Sequence, residues 1–272
     1  AERGGQVGDQ GELLGATGAT IGRVVDTQRP VGAMTLHDVE LDGPVAVGEA
    51  VRLRVDAPRR AATVRNHTAT HLLHRAIRIV AGPDAKQRGS LVHPEYLRFD
   101  YPLDRALTRQ ERDAVESEVQ RAIRENIPVT VAQMSMREAV EAGADAFFDE
   151  KYGETVRTVR MADYSHELCG GTHCRATGEV GSFVIVSDRS IGSGLRRIEA
   201  LSGPVAGTST GRPWYQASGW SSIQRPFAAP TAALASISGV RSSTRRPAQG
   251  FARTATTAIL RIGGSPAGAN AR

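Results

Sequence analysis

Apolar and polar residues alternate in short runs over the first sixty positions, as in Ala19–Asp26 and Val51–Asp56, with glycine-containing turns between them. Alternation of period two is the mark of half-buried strands, and several at this spacing predict a small antiparallel β-barrel. The period then changes. Val64, Leu72, Leu73, Ala76, Ile77 and Val80 fall on one helical stripe, and Gly82-Pro83 supplies a stop. A second helix is predicted from Thr108, because Thr108-Arg-Gln-Glu111 has the form of a capping box ahead of the stripe Val115, Val119, Ala122 and Ile123. Pro128 follows it, then Val129–Ala132 reads as a strand and Ser135-Met-Arg-Glu138 as another capping box. Thr155–Met161 and Ser182–Ser187 read as strands around a turn-rich segment, 163–181. Irregular alternation of strands and helices from 61 to 202 gives an α+β class. The expected organisation is a barrel over 1–60, a domain over 61–203 and a tail over 204–272.

Charge changes the picture mainly in that tail. The formal net charge is +5, yet residues 203–272 contain eight arginines, no lysine and no acid. The first 202 residues therefore carry 26 basic and 29 acidic side chains, so any nucleic-acid footprint there is a local patch. At the acid frequency of the first 202 residues the tail should hold roughly ten Asp or Glu. It shows no helical or strand period, and matches either a disordered basic arm or, as we prefer, a reading-frame error in a GC-rich gene. Lys86 and Lys151 are the only lysines. No apolar run approaches the ~18 residues that span a bilayer. The N-terminus has no secretory pattern, and two cysteines make no disulfide framework, which together suggest a cytoplasmic chain without a membrane partner.

Two motifs carry chemistry. In Asn66-His67-Thr68-Ala69-Thr70-His71 the two histidines are four apart, on one face of the predicted helix. In Cys169-Gly-Gly-Thr-His173 two glycines permit the turn that brings a thiolate and an imidazole together. Each alone also fits a plain polar face or a chance pair. Together they supply four zinc-type donors. His74 extends the helical face and is read as a residue behind the ligands or at the surface, and Cys174 as a small packed residue. A zinc protease is disfavoured, because Thr68 stands where the H-E-x-x-H helix has its glutamate.

Five blocks then occur in order: Asn66–Arg78, Gln87–Tyr101, Glu150–Met161, Ser165–Phe183 and Ser193–Gly203. The set resembles the editing region of alanyl-tRNA synthetase and its free-standing AlaX-type relatives. The opening AERGGQVGDQG resembles the glycine-rich motif of the barrel that precedes that region. The resemblance runs from residue 1 to about 203; the tail matches neither the linker nor the C-terminal domain of the synthetase. It implies an editing domain of the threonyl/alanyl-tRNA synthetase second-additional-domain type, which hydrolyses serine or glycine from alanine tRNA. It further implies that His67, His71, Cys169 and His173 bind Zn2+, and that Thr70 recognises the serine hydroxyl. Gln87 would act in the pocket, and the paired Arg196 and Arg197 would hold the terminal adenosine of the tRNA acceptor end or its phosphate, a salt bridge to Glu199 or another acid being their other reading. No obvious carboxylate base emerges; Glu167, two residues before Cys169, is a candidate. The chain shows no ATP-site block, so it is expected to edit as a fragment beside a parent synthetase catalytic domain or as a free-standing protein. A non-catalytic, zinc-stabilised tRNA-binding fragment is the alternative.

Overall fold

The computed structural model describes residues 4–30, 34–145, 153–209 and 256–261. Its strands and helices, in chain order, are β1 (Gly11–Leu14), β2 (Thr20–Gln28), β3 (Leu36–Leu41), β4 (Arg52–Val55), α1 (Ala57–Ala81), β5 (Gly89–Val92) and β6 (Leu97–Pro102). There follow α2 (Arg109–Arg124), β7 (Val129–Ser135), α3 (Met136–Glu141), β8 (Thr155–Met161), β9 (Ser165–Leu168), β10 (Phe183–Gly192), β11 (Leu195–Ser202), α4 (Pro204–Ser209) and β12 (Thr256–Arg261). The chain divides into two compact units.

The first unit takes residues 8–59 and the C-terminal strand. Its sheet has the order β12-β3-β2-β1-β4, with every described pair antiparallel. Leu13, Val24 and Val39 form its small core. The expected antiparallel strands are there, but the ladder is an open one, ending at β12 and β4 among the described residues, rather than a closed barrel. Two pieces of the tail carry regular structure that its sequence did not announce, α4 and β12. The rest of the disordered or aberrant tail reading falls on 210–255 and 262–272, outside the described residues.

The second unit takes, among described residues, 4–7 and 60–209. It has a four-stranded antiparallel sheet, β10-β11-β6-β5, and a three-stranded one, β7-β8-β9. The long helix α1 buries Ala69, Leu72, Leu73, Ala76 and Ile77 in a core shared with Phe99 and Tyr101 of β6 and Ile198 and Ala200 of β11. Each large side chain so buried contributes about 1.5–3 kcal/mol. On α2 the predicted stripe Val115, Val119, Ala122 and Ile123 is the buried one, and both capping boxes are made: Thr108 with Glu111, Ser135 with Glu138. Strand β8 has the predicted bounds, whereas the turn-rich segment after it contains a further strand, β9. A class of mixed helices and antiparallel sheets is the result.

Candidate metal centre

The middle of α1 presents His67 and His71 one turn apart, with stacked rings whose centroids are 5.5 Å apart. After β9 the chain turns through Gly170-Gly171 and brings Cys169 and His173 to the same place. Cys169 Sγ lies 3.3 Å from His67 Nε2 and 3.3 Å from His173 Nε2. All four donor atoms fall within 4.8 Å of one another. Bond lengths of about 2.0 Å to nitrogen and 2.3 Å to sulfur at tetrahedral angles put such donors ~3.5 Å apart. The sulfur–nitrogen separations are close to that.

The surrounding groups leave the inward nitrogens ready to coordinate. Glu167 on β9 is buried, and its carboxylate takes His71 Nδ1 at 2.6 Å, His74 Nδ1 at 3.1 Å and the Ser165 hydroxyl at 2.9 Å. With Nδ1–H donated to Glu167, His71 Nε2 is a buried atom with no hydrogen-bond partner among the described residues. A carboxylate behind a histidine fixes the ring and raises its basicity as a ligand. The residues therefore fit a zinc ion on the strength of the donor set and that orphaned nitrogen.

Electrostatics favour the ligand form at two of the four donors, Cys169 and His173. Burial pushes the Cys169 thiol up, but His67 beside it and hydrogen bonds from His173 and His67 outweigh burial and hold it well below its ordinary value. Burial disfavours the charged form of His71, yet the Glu167 carboxylate overcomes this and raises its pKa to about 10. Burial, then the neighbouring His67, lowers His173 to about 3. The thiolate and the neutral His173 are the forms a metal takes, whereas at His71 a metal would have to displace the proton that the Glu167 carboxylate favours.

Other sequence-predicted residues divide. Thr70 is buried on α1 and its hydroxyl donates to the Asn66 carbonyl at 2.8 Å. Gln87 is half-buried just ahead of β5. Cys174 is packed as expected, its backbone N–H donating to Thr68 Oγ1 at 2.9 Å. His74 is buried against Glu167, not at the surface. Glu167 is no free base, since both its oxygens are engaged by His71, His74 and Ser165.

The two arginines do not form one grip. Neighbours along a strand point to opposite faces. Arg196, opposite Tyr101, makes a bidentate pair with Asp188 at 2.7 and 3.0 Å. Arg197, opposite Asp100, pairs with it at 2.7 and 2.8 Å on the other face. Each arginine is thus ion-paired within the sheet, Arg196 with Asp188 and Arg197 with Asp100.

Residues 156–199 match the family described as the threonyl and alanyl tRNA synthetase second additional domain. The chain is 48% identical over 209 residues to an alanine-tRNA ligase of Paramagnetospirillum magneticum, covering 75% of this chain and 24% of the relative. It is 48% identical over 207 residues to that of Halorhodospira halophila, covering 76% and 24%. With that of Streptococcus thermophilus it shares 47% over 201 residues, covering 74% and 23%. The chain thus spans about a quarter of the length of the curated relatives it matches. The resemblance borne by the five sequence blocks stands: the chain is similar to a part of alanine-tRNA ligases, and its residues 156–199 match the second additional domain. Among the described residues, no helix is long and apolar enough to cross a membrane.

Proposed function

We propose that this chain hydrolyses the ester joining a misattached serine or glycine to alanine tRNA, using one zinc ion held by His67, His71, Cys169 and His173. The observation that carries the reading is the convergence of these four donors, from α1 and the turn after β9, in a chain similar to an editing region. Zinc, when bound, would polarise water or the ester carbonyl. His173 is the least buried of the four donors, which supports an approach of the aminoacyl end from its side. Thr70 already donates its proton to Asn66, so its oxygen is left as an acceptor for a substrate hydroxyl. Serine has that hydroxyl and alanine lacks it. A hydrogen-bonding site discriminates here where an apolar pocket rejects an added hydroxyl poorly. Gln87, half-buried, would orient the aminoacyl end with its amide. Arg197 would meet the acceptor strand on the sheet face that also bears Arg98, while Arg196 secures the sheet. The activity would serve equally beside a synthetase catalytic domain or in a free-standing protein.

The second reading is a zinc-stabilised tRNA-binding segment without turnover. The donor set itself favours it: four protein ligands close a tetrahedral ion, the usual structural arrangement. Incubating the zinc-loaded chain with Ser-, Gly- and Ala-charged alanine tRNA separates the two. Deacylation of the first two and not the third, lost on chelation, supports editing. Binding of tRNA with no release of any amino acid supports the second reading.

A further inference from the structure

Residues 4–7 of the glycine-rich opening pack at the metal centre. Residues 4–7 belong to the second unit although 8–59 belong to the first. The segment is pinned by two backbone bonds to β5, Val7 N–H to the Val92 carbonyl at 3.0 Å and Val92 N–H to the Gly5 carbonyl at 2.8 Å. Close approach needs its glycines. A Cβ on Gly5 would sit 2.4 Å from Ser90 Oγ, and Gly4 has a φ of +59° with its Cβ position 3.2 Å from Cys169 Sγ.

This pinning delivers Gln6, 3% exposed, to the ligand cluster. Its Oε1 lies 2.9 Å from His67 Nδ1, 2.9 Å from the Thr172 backbone nitrogen and 2.9 Å from Thr172 Oγ1. The backbone N–H of Thr172 can only donate, so the amide atom facing it is the oxygen, whichever way a side-chain amide would otherwise turn. An acceptor oxygen in turn requires a proton on His67 Nδ1. In the neutral ring, the form a metal takes, that leaves the lone pair on Nε2, the atom 3.3 Å from Cys169 Sγ.

We infer that Gln6 is a positioning residue of the metal centre: it and Thr172 fix the ring and tautomer of His67, as Glu167 does for His71. The two α1 ligands are therefore held by acceptors of different kind, one neutral amide and one carboxylate. Had both been carboxylates, the buried cluster would carry a further negative charge at a desolvation cost. The strap also ties the turn of Cys169–His173 to α1, because one oxygen of Gln6 bridges Thr172 and His67.

The inference rests on the proposed zinc, and the test keeps the two apart. Zinc affinity is measured by chelator competition on the full chain, with melting of the metal-free protein as a second readout, for Gln6→Leu and Gln6→Glu. Gln6→Leu should bind zinc about 10- to 100-fold more weakly. Gln6→Glu, which keeps an acceptor for His67 and Thr172, should restore most of that loss, and metal-free melting should not track the affinities. Unchanged affinity in Gln6→Leu overturns the inference, as does equal weakening in both variants in step with melting. A wild-type chain that binds no zinc overturns the metal reading itself and this inference with it.

Discussion

Replacing Gly171 by alanine places a methyl group inside the metal centre. Its Cβ would lie 1.9 Å from His67 Cε1 and 2.3 Å from His67 Nδ1, with Gln6 Oε1 at 3.1 Å. Carbon atoms in contact sit about 3.5–4.0 Å apart, so ring or turn must move by roughly 1.5 Å. Metal sites accept errors of only about 0.2 Å in ligand distance. His67 would thus be lost as a ligand along with its bond to Gln6. Loss of a supporting hydrogen bond alone typically costs 10–100-fold in metal affinity, so the deficit should be at least about tenfold. Overpacking adds about 1–3 kcal/mol of destabilisation without metal. At roughly 2–4 °C per kcal/mol for a unit of this size, melting should fall by several degrees. Gly43→Ala, whose Cβ meets open space, is the control and should change neither quantity. Chelator competition and thermal melting read both effects. Wild-type zinc affinity in Gly171→Ala would refute the placement of His67 at the metal.

Three further outcomes follow from other parts of the structure. Glu167→Ala removes the acceptor of His71 Nδ1–H and should weaken zinc about 10- to 100-fold, measured by the same competition. Thr70→Val keeps shape and removes the hydroxyl; Ser-tRNA hydrolysis should fall about tenfold to a hundredfold relative to Gly-tRNA hydrolysis, with zinc content unchanged. Glu111, hydrogen-bonded to Arg105 and to the Thr108 backbone, has its pKa lowered from 4.5 to about 2. A depressed carboxylate stabilises the fold above its unfolded pKa, so its contribution is complete above about 4.5 and lost as pH falls toward about 2. NMR titration of its side-chain carboxyl should give the low midpoint, and Arg105→Ala should move it upward.

Features legible in the sequence were the local ones. Two histidines four apart define one helix face whatever the rest of the chain does, and Thr108 and Ser135 close their boxes within three residues. Helix α1 begins at Ala57, earlier than its apolar stripe, because Ala57–Thr63 has helix formers but little to bury, with Pro58 tolerated in the first turn. Strand β9 is four residues of mixed polarity, Ser-His-Glu-Leu, and only its pairing with β8 makes it a strand. Gln6 and Glu167 were missed as supports since their histidine partners stand 61 and 96 residues away, beyond any period. The division of Arg196 from Arg197 was available from strand alternation and needed only Leu195–Ser202 to be read as a strand.

Whether His67, His71, Cys169 and His173 form one zinc centre can be read by native mass spectrometry of the full chain. One zinc per chain is expected, lost from Cys169→Ala and retained in Cys174→Ala, whose thiol packs against α1 instead. Wild-type chain without zinc after loading, or full zinc content in Cys169→Ala, would contradict it.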